Sequence, residues 1–284
     1  MERVKSLKQL FKKKKVGFVC NNSGGALILK YLINQYKLNY KIITKGSAKN
    51  IFKNKNFNKK KFFFKNINLL ICGTSVPGNF EIKNFIYAKK IGIKTISILD
   101  HWVNYKERFR LENSYFYPDE IWCGDRDSYL IANKKLKKNN IRLFKNPMFD
   151  FYRLKGKKSK SFFGKNNILY LSSNFRRMNI HINENKILKK TYEIFFKGKF
   201  NSIIFRPHPS DTTKKIPKIL KNLDCKLDVH NDLYKVLSKI NLAIGSNSAA
   251  LVLAKIYGCK TINILPKNVK NTLPEKYIDE IVKI

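Results

Sequence analysis

The stretch IIFRPHPSD, residues 203 to 211, ends an apolar run in an arginine and a histidine held between two prolines. Ile203, Ile204 and Phe205 suit a buried strand, and Pro207 and Pro209, which lack amide donors, must end it. Each proline fixes its own φ and biases the residue before it toward extended geometry, so Arg206 and His208 are held in place. A guanidinium and an imidazole held this way suit a small anion. GSNSAAL, 245 to 251, brings Ser246, Asn247 and Ser248 to the start of an apolar helix. Ser246 or Ser248 caps that helix, whose unpaired amides and positive dipole end can hold a phosphate. LSSN, 171 to 174, adds Ser172 and Ser173. Arg206, His208, Ser246 and Ser248 follow separate strands and are expected to form a phosphate or diphosphate clamp of charge-assisted hydrogen bonds.

The first half carries a second set. NNSGG, 21 to 25, follows an apolar run, and Ser23 and Gly24 open a helix whose amide donors could meet an anion or a hydroxyl. It is neither a Walker sequence nor a full Gly-x-Gly-x-x-Gly fingerprint. GTS supplies Thr74 and Ser75, and LDHWVNYKERF, 99 to 109, puts Asp100 and His101 at a strand end. A carboxylate beside an imidazole is suited to taking a proton from an acceptor hydroxyl.

Short apolar runs alternate with helix-like segments along the chain. Strands are predicted at 16–20, 40–44, 67–72, 94–99 and 120–124, with helices at 24–36, 80–90 and 126–136. After a Lys/Ser/Gly-rich linker at 154–167, strands are predicted at 168–173, 202–207, 225–229, 241–245 and 260–265, with helices at 184–197, 232–240 and 248–257. Gly258 falls where a helix C-terminal cap belongs. This βα alternation implies an α/β protein with mainly parallel sheets covered by helices on both faces. Two Rossmann-like domains follow, 1–154 and 155–284, sharing a layout without obvious sequence identity. In such sheets ligands bind beyond the carboxyl ends of the strands, where all of the residues above fall.

With 284 residues and 43% hydrophobic content, the chain can bury ordinary cores. Its formal net charge of +40 would suit nucleic acid, yet only nine of the 59 basic residues are arginine. The lysines are spread along the chain with Asn, Ile and Phe, which share A/T-rich codons, so nucleic acid is disfavoured. Five dispersed cysteines indicate neither a zinc site nor a disulfide framework, and fit small buried residues at strand ends. No apolar run reaches the roughly 18 residues of a membrane span. The expected location is the cytoplasm. Lys12 to Lys15 and NKKKFFFKN, 58 to 66, could rest on an anionic membrane at its inner face or serve as a solvated run beside buried phenylalanines.

Two Rossmann-like halves, Arg-x-His-Pro, and Ser-x-Ser before AALVLAKIYGCKTI together resemble the GT-B glycosyltransferases. They resemble more narrowly the bacterial capsule and cell-wall transferases with His-Pro and paired-serine motifs, such as polysialyltransferases and glycerophosphotransferases. That resemblance implies that His208, Ser246 and Ser248 contact the phosphate of a cytidine-nucleotide donor on the C-terminal domain. The serines here are separated by Asn247 rather than adjacent, so either hydroxyl could meet the phosphate. The family's acidic base motif is not recognisable, and Asp100 or His101 is selected by position. The reading is a glycosyltransferase that moves a sugar from a nucleotide-activated donor to a glycan acceptor in capsule or lipopolysaccharide synthesis. It would need no cofactor or metal, bind the donor through Arg206, His208, Ser172, Ser173, Ser246, Asn247 and Ser248, and meet the acceptor near Ser23, Gly24, Thr74 and Ser75. The alternatives are a nucleotide-sugar epimerase or hydrolase of similar fold and a non-enzymatic basic surface-binding protein.

Overall fold

The structure, a computed structural model, describes residues 3–4, 6–12, 14–53, 60–138, 140–158, 167–173, 184–196, 202–209, 211, 215–228, 230 and 232–284. Its contacts form two compact units, Met1–Met148 and Phe149–Ile284.

The first unit runs α1 (Leu7–Phe11), β1 (Val16–Cys20), α2 (Ser23–Tyr36), β2 (Tyr40–Thr44), α3 (Lys60–Phe64), β3 (Leu69–Cys72), α4 (Asn79–Lys90), β4 (Lys94–Leu99), β5 (Arg110–Leu111), β6 (Ser114–Tyr115), β7 (Glu120–Cys123), α5 (Arg126–Leu136) and β8 (Ile141–Leu143); the next helix, α6 (Pro147–Lys158), belongs almost wholly to the second unit. Six strands form one sheet in the order β2-β1-β3-β4-β7-β8, and β5 pairs with β6 as a small antiparallel ribbon. All pairs in the large sheet are parallel. Its central strands VGFVC and LLIC are buried at every residue, as expected of strands covered on both faces.

The second unit runs from β9 (Asn167–Leu171) through α7 (Glu184–Thr191), β10 (Ser202–Arg206), β11 (Cys225–Leu227), α8 (Tyr234–Leu237), β12 (Leu242–Gly245), α9 (Ala249–Tyr257) and β13 (Lys260–Leu265) to β14 (Glu280–Lys283). Its parallel sheet has the order β11-β10-β9-β12-β13-β14, so the winding reverses between β9 and β12. In the first unit it reverses between β1 and β3. These reversals are where two loops diverge and leave a crevice.

The expected interior strands all form. The unexpected ones, β8 and β14, lie at sheet edges, where partial exposure removes the apolar run that marks an interior strand. The helix expected over 232–240 contracts to α8, and α7 passes into a π-helical segment, Tyr192–Phe196.

The units divide ahead of the expected boundary near residue 155, because α6 continues through residues 154–158. The remainder of the expected linker, 159–166, lies outside the described residues. Gly156 is a packing residue: a Cβ there would collide with the backbone carbonyl of Tyr257, so glycine lets α6 lie against the end of α9.

The expectation of no sequence identity between the halves is corrected once the sheets are compared. AKKIGIKTISIL, 88 to 99, and AKIYGCKTINIL, 254 to 265, each form the end of a helix and the next strand. Both helices stop at a glycine with positive φ, Gly92 and Gly258. Ile93 N–H reaches Ala88 O at 2.9 Å and Cys259 N–H reaches Ala254 O at 3.0 Å, which are matching Schellman closures. The next strands begin Asp-Glu-Ile, 119–121 and 279–281, in the same register, Ile96 opposite Glu120 and Ile262 opposite Glu280. Thr95 N and Oγ1 donate to Asp119 Oδ2 at 2.8 and 2.9 Å, and Thr261 N and Oγ1 donate to Asp279 Oδ2 at 2.9 and 3.0 Å. Lys89 and Lys255 complete the two clasps by pairing with Asp119 and Asp279. Burial would raise both aspartates, but these donors prevail and hold both carboxyls below the usual range.

Candidate functional site

At the carboxyl end of the first sheet, the expected residues gather but are bonded to one another. Asp100 follows β4, and its Oδ1 accepts from Arg108 Nη1 at 2.6 Å. Arg108 is buried, and the same Nη1 donates to Thr74 Oγ1 at 2.8 Å. Thr74 Oγ1 donates to Ile98 O at 3.0 Å. The other carboxylate oxygen, Oδ2, lies against Gly24, where a Cβ would collide with it. That collision gives Gly24 its reason: the glycine makes room for Asp100. The Arg108 bond and the Gly24 contact hold the Asp100 carboxylate in a fixed orientation.

His101 stands beside Asp100 but is oriented independently. Its Nδ1 accepts the Trp102 amide at 3.0 Å, which leaves the proton of a neutral ring on Nε2. Trp102 is fixed in turn, its Nε1 donating to Asp125 Oδ2 at 3.0 Å while Asp125 Oδ1 caps α5 through Ser128 N at 2.8 Å.

Two of the amides after β1 are already used. Asn21 N donates to Glu81 Oε1 at 2.8 Å, and Ser23 N donates to Ser47 Oγ at 3.0 Å. Ser75 Oγ donates to Glu81 Oε2 at 2.7 Å. Glu81, in the first turn of α4, is therefore the polar centre of the β1/β3 crevice, and nothing in its sequence neighbourhood NFEIKNF marks it out. It is only 2% exposed, and burial pushes its carboxyl up to about 7 despite the Ser75 and Asn21 bonds. Two carboxyl groups thus occupy this end, one paired with Arg108 and the other raised by burial.

The second sheet ends differently. Glu184 Oε1 accepts Ser172 Oγ at 2.8 Å and Ser173 N at 2.7 Å, and burial raises this carboxyl as well. Ser173 Oγ donates to Ser246 O at 2.7 Å, joining the β9 and β12 loops across the crevice. Ser246 Oγ donates to Ile264 O at 2.5 Å. The hydroxyl protons of Ser172, Ser173 and Ser246 are therefore committed within the protein. A phosphate only accepts, so these three do not make the expected hydroxyl contacts in this arrangement.

Ser248 remains. It is the N-cap of α9 in extended geometry, and its side chain caps no amide. The first turn behind it is Ala249, Ala250 and Leu251, without an acidic residue, and Leu251 N returns to Ser248 O at 2.9 Å. Asn247 holds the bend with a φ of 47°, left-handed geometry that asparagine tolerates.

Arg206 and His208 follow β10, separated from β12 by β9. Both residues of the expected clamp make bonds within the protein. The Arg206 guanidinium pairs with the buried Asp228 and donates to His230 O at 3.1 Å. His208 N donates to Asp211 Oδ2 at 2.9 Å, and Asp211 N donates to His208 O at 2.9 Å, so the Arg-Pro-His-Pro bend is fixed by its own carboxylate. Among the described residues no three His, Cys, Asp or Glu side chains converge in a way that could hold a metal ion.

Two Rossmann-like units, each with a mainly parallel sheet and one reversal point, define an α/β protein of GT-B type. Solved structures share this fold. The UDP-GlcNAc 2-epimerase of Methanocaldococcus jannaschii, solved with UDP-GlcNAc and UDP, aligns over 95% of this chain and 88% of its own, with a TM-score of 0.63 and 12% identity. The UDP-GlcNAc 2-epimerase of Neisseria meningitidis, bound to UDP-GlcNAc, aligns over 92% and 84%, with a TM-score of 0.57 and 11% identity. The wall teichoic acid polymerase TagF aligns over 90% and 71%, with a TM-score of 0.53 and 14% identity. No family model and no curated protein matches the sequence.

Proposed function

We propose that this protein is a glycosyltransferase that moves a sugar from a nucleotide-activated donor to a glycan acceptor in bacterial surface-polysaccharide synthesis, capsule or lipopolysaccharide. The observation that carries this reading is the start of α9 at the β9/β12 reversal. There Ser248 and the first amides of a nine-residue helix stand without an acidic residue, an arrangement suited to a diphosphate. The solved structures with UDP-GlcNAc or UDP, and TagF solved with CDPG in one variant, support a nucleotide-linked ligand.

In this reading the donor nucleotide, with cytidine favoured by the motif resemblance, binds the second unit. Ser248 is its phosphate hydroxyl, and His208, on the fixed bend after β10, stabilises charge on the leaving phosphate. The acceptor meets the first unit near Ser23, Gly24, Thr74 and Ser75. Asp100 receives the acceptor proton through Oδ2, the oxygen outside the Arg108 bond, and His101 Nε2–H orients the hydroxyl. The protein works in the cytoplasm at the inner membrane face, aided by its lysines. Among the described residues no helix is long and apolar enough to cross a membrane.

The test is thermal unfolding of the purified protein with CMP, CDP, UDP, GDP and ADP, in the wild type and in Ser248→Ala. One nucleotide is expected to raise the midpoint in the wild type, with the shift reduced by an approximately tenfold loss of affinity in the variant. No shift with any nucleotide would overturn the reading. A nucleotide-sugar epimerase is the second reading, favoured by the fold likeness to the two epimerases. Incubation with the sugar nucleotide alone separates the two, since an epimerase converts it without an acceptor.

A further inference from the structure

The bend that presents Ser248 is built by a side chain on the neighbouring strand. Asn263 on β13 is fully buried, and its Oδ1 accepts the Asn247 amide at 2.8 Å. Its Nδ2 donates to Asn247 Oδ1 at 3.3 Å and to Asn271 Oδ1 at 2.9 Å. Asn247 Oδ1 also accepts Thr272 N at 3.0 Å, and Asn247 Nδ2 donates to Lys270 O at 2.9 Å. Asn263 thus grips both the backbone and the side chain of the one residue in left-handed geometry between Ser246 and Ser248. Its amide supplies an acceptor on one atom and donors on the other, which a hydroxyl or a carboxylate cannot duplicate.

The first unit contains a natural control. By the matching of KTISIL with KTINIL, Ser97 stands where Asn263 stands. In both units a hydroxyl of the neighbouring loop reaches the next carbonyl of this strand, Thr74 Oγ1 donating to Ile98 O and Ser246 Oγ to Ile264 O, although Thr74 stands one position further along the register than Ser246. Yet Ser97 Oγ is buried without a hydrogen-bond partner. The turn after β3 continues through Pro77, which has no amide hydrogen, and Gly78, which packs on Arg108 O. In the second unit, with asparagine in place of serine, the turn carries the amide ladder.

We infer that Asn263 is a positioning residue for an anion on the second unit: it sets the 246–248 bend so that Ser248 and the first amides of α9 face a phosphate or diphosphate group. The inference rests on the proposed donor site and names a residue that no ligand touches. The Lys270–Thr272 segment, held by the same amides, is part of the support.

The experiment measures calorimetric dissociation constants for UDP, CDP and inorganic pyrophosphate, at pH 8 and pH 5.5, on the wild type, Asn263→Ser and Asn263→Asp. Thermal unfolding and near-ultraviolet circular dichroism report folding. The serine variant, which copies the first unit, is expected to remain folded and to bind at least tenfold more weakly. The aspartate variant keeps the acceptor for Asn247 N but loses both donations, so at pH 8 it too binds at least tenfold more weakly. At pH 5.5 its buried carboxyl takes up a proton, can donate again to Asn247 Oδ1, and recovers affinity relative to the wild type at the same pH. A purely structural role would not produce that pH-dependent recovery. A folded variant of either kind with wild-type affinity overturns the inference while leaving the donor site standing. If the serine variant fails to fold, the aspartate pH series decides. Pyrophosphate binding without nucleotide binding in the wild type removes the nucleotide reading but keeps an anion site on which both variants are judged. No binding of any probe by the wild type overturns both.

Discussion

The two sheets start alike and end differently. At their amino ends, Thr95–Asp119–Lys89 and Thr261–Asp279–Lys255 make the same clasp, atom for atom. At their carboxyl ends, the first unit fills its crevice with Glu81 and Asp100 and packs Gly78, at the start of α4, against the Arg108 carbonyl. The second spends its serine hydroxyls on internal acceptors, braces the bend with Asn263, and leaves Ser248 at an open helix start. One framework can therefore end either in a crevice filled by its own carboxyl groups or in a helix start that faces the proposed anion. Fold alone does not separate the two ends; hydrogen-bond accounting does.

The largest effect expected from this contrast comes from breaking a buried ion pair. Arg108→Met leaves the Asp100 carboxylate unpaired, with side-chain exposure of only 10%, and should cost about 3–5 kcal/mol. Adding Asp100→Leu should restore most of the loss, as urea unfolding would show. Failure of the double variant to recover would mean the pair does more than neutralise itself.

Next is the pH response of Glu81. Its folded value, about 7, lies above the ordinary 4.5, so the stability linked to the protonated form is fully present below the unfolded value and is lost as pH rises through about 7. The change is on the order of 3 kcal/mol. Glu81→Gln can still accept the Asn21 amide, and Ser75 Oγ can turn to Pro77 O, 3.0 Å away. The variant should therefore lose this slope, gaining on the wild type between pH 5 and pH 8. Parallel unfolding curves for the two proteins would remove Glu81 as the titrating group.

A smaller effect tests the likeness itself. Asp119→Ala and Asp279→Ala each delete the acceptor for one threonine amide and one hydroxyl, and each should cost about 1–2 kcal/mol. If one costs several times the other, the clasps are alike in geometry but not in energy. The smallest effects belong to Lys89→Met and Lys255→Met, partly exposed ion pairs worth under about 1 kcal/mol each.

Much of the fold was legible because interior parallel strands must be continuously apolar, as VGFVC and KTISIL are. The edge strands IRL and EIVK escaped because one side of each is solvent, and Gly156 read as linker because glycine in a lysine-rich segment has two uses. Residues at strand ends could be placed near a site from sequence, since topology alone carries them there. What they bond to could not. Arg206 was expected to face an anion, and its bond to Asp228, which arrives just after β11, comes through a pairing that no local pattern announces. Glu81 and Asn263 were missed because each acts on a turn far away in sequence. The repeated Lys-Thr-Ile-x-Ile-Leu and Asp-Glu-Ile strings were present in the sequence throughout and gained meaning only once their registers coincided.

The paired clasps make this chain a machine with an interchangeable part. AKKIGIKTISIL and AKIYGCKTINIL share the lysine and the threonine of the clasp and the glycine that ends each helix. A chimaera that exchanges them keeps both clasps and carries Asn263's chemistry into the first unit and Ser97's into the second. Such a molecule would show whether the capacity to hold an anion travels with one interior side chain or stays with the loops that surround it.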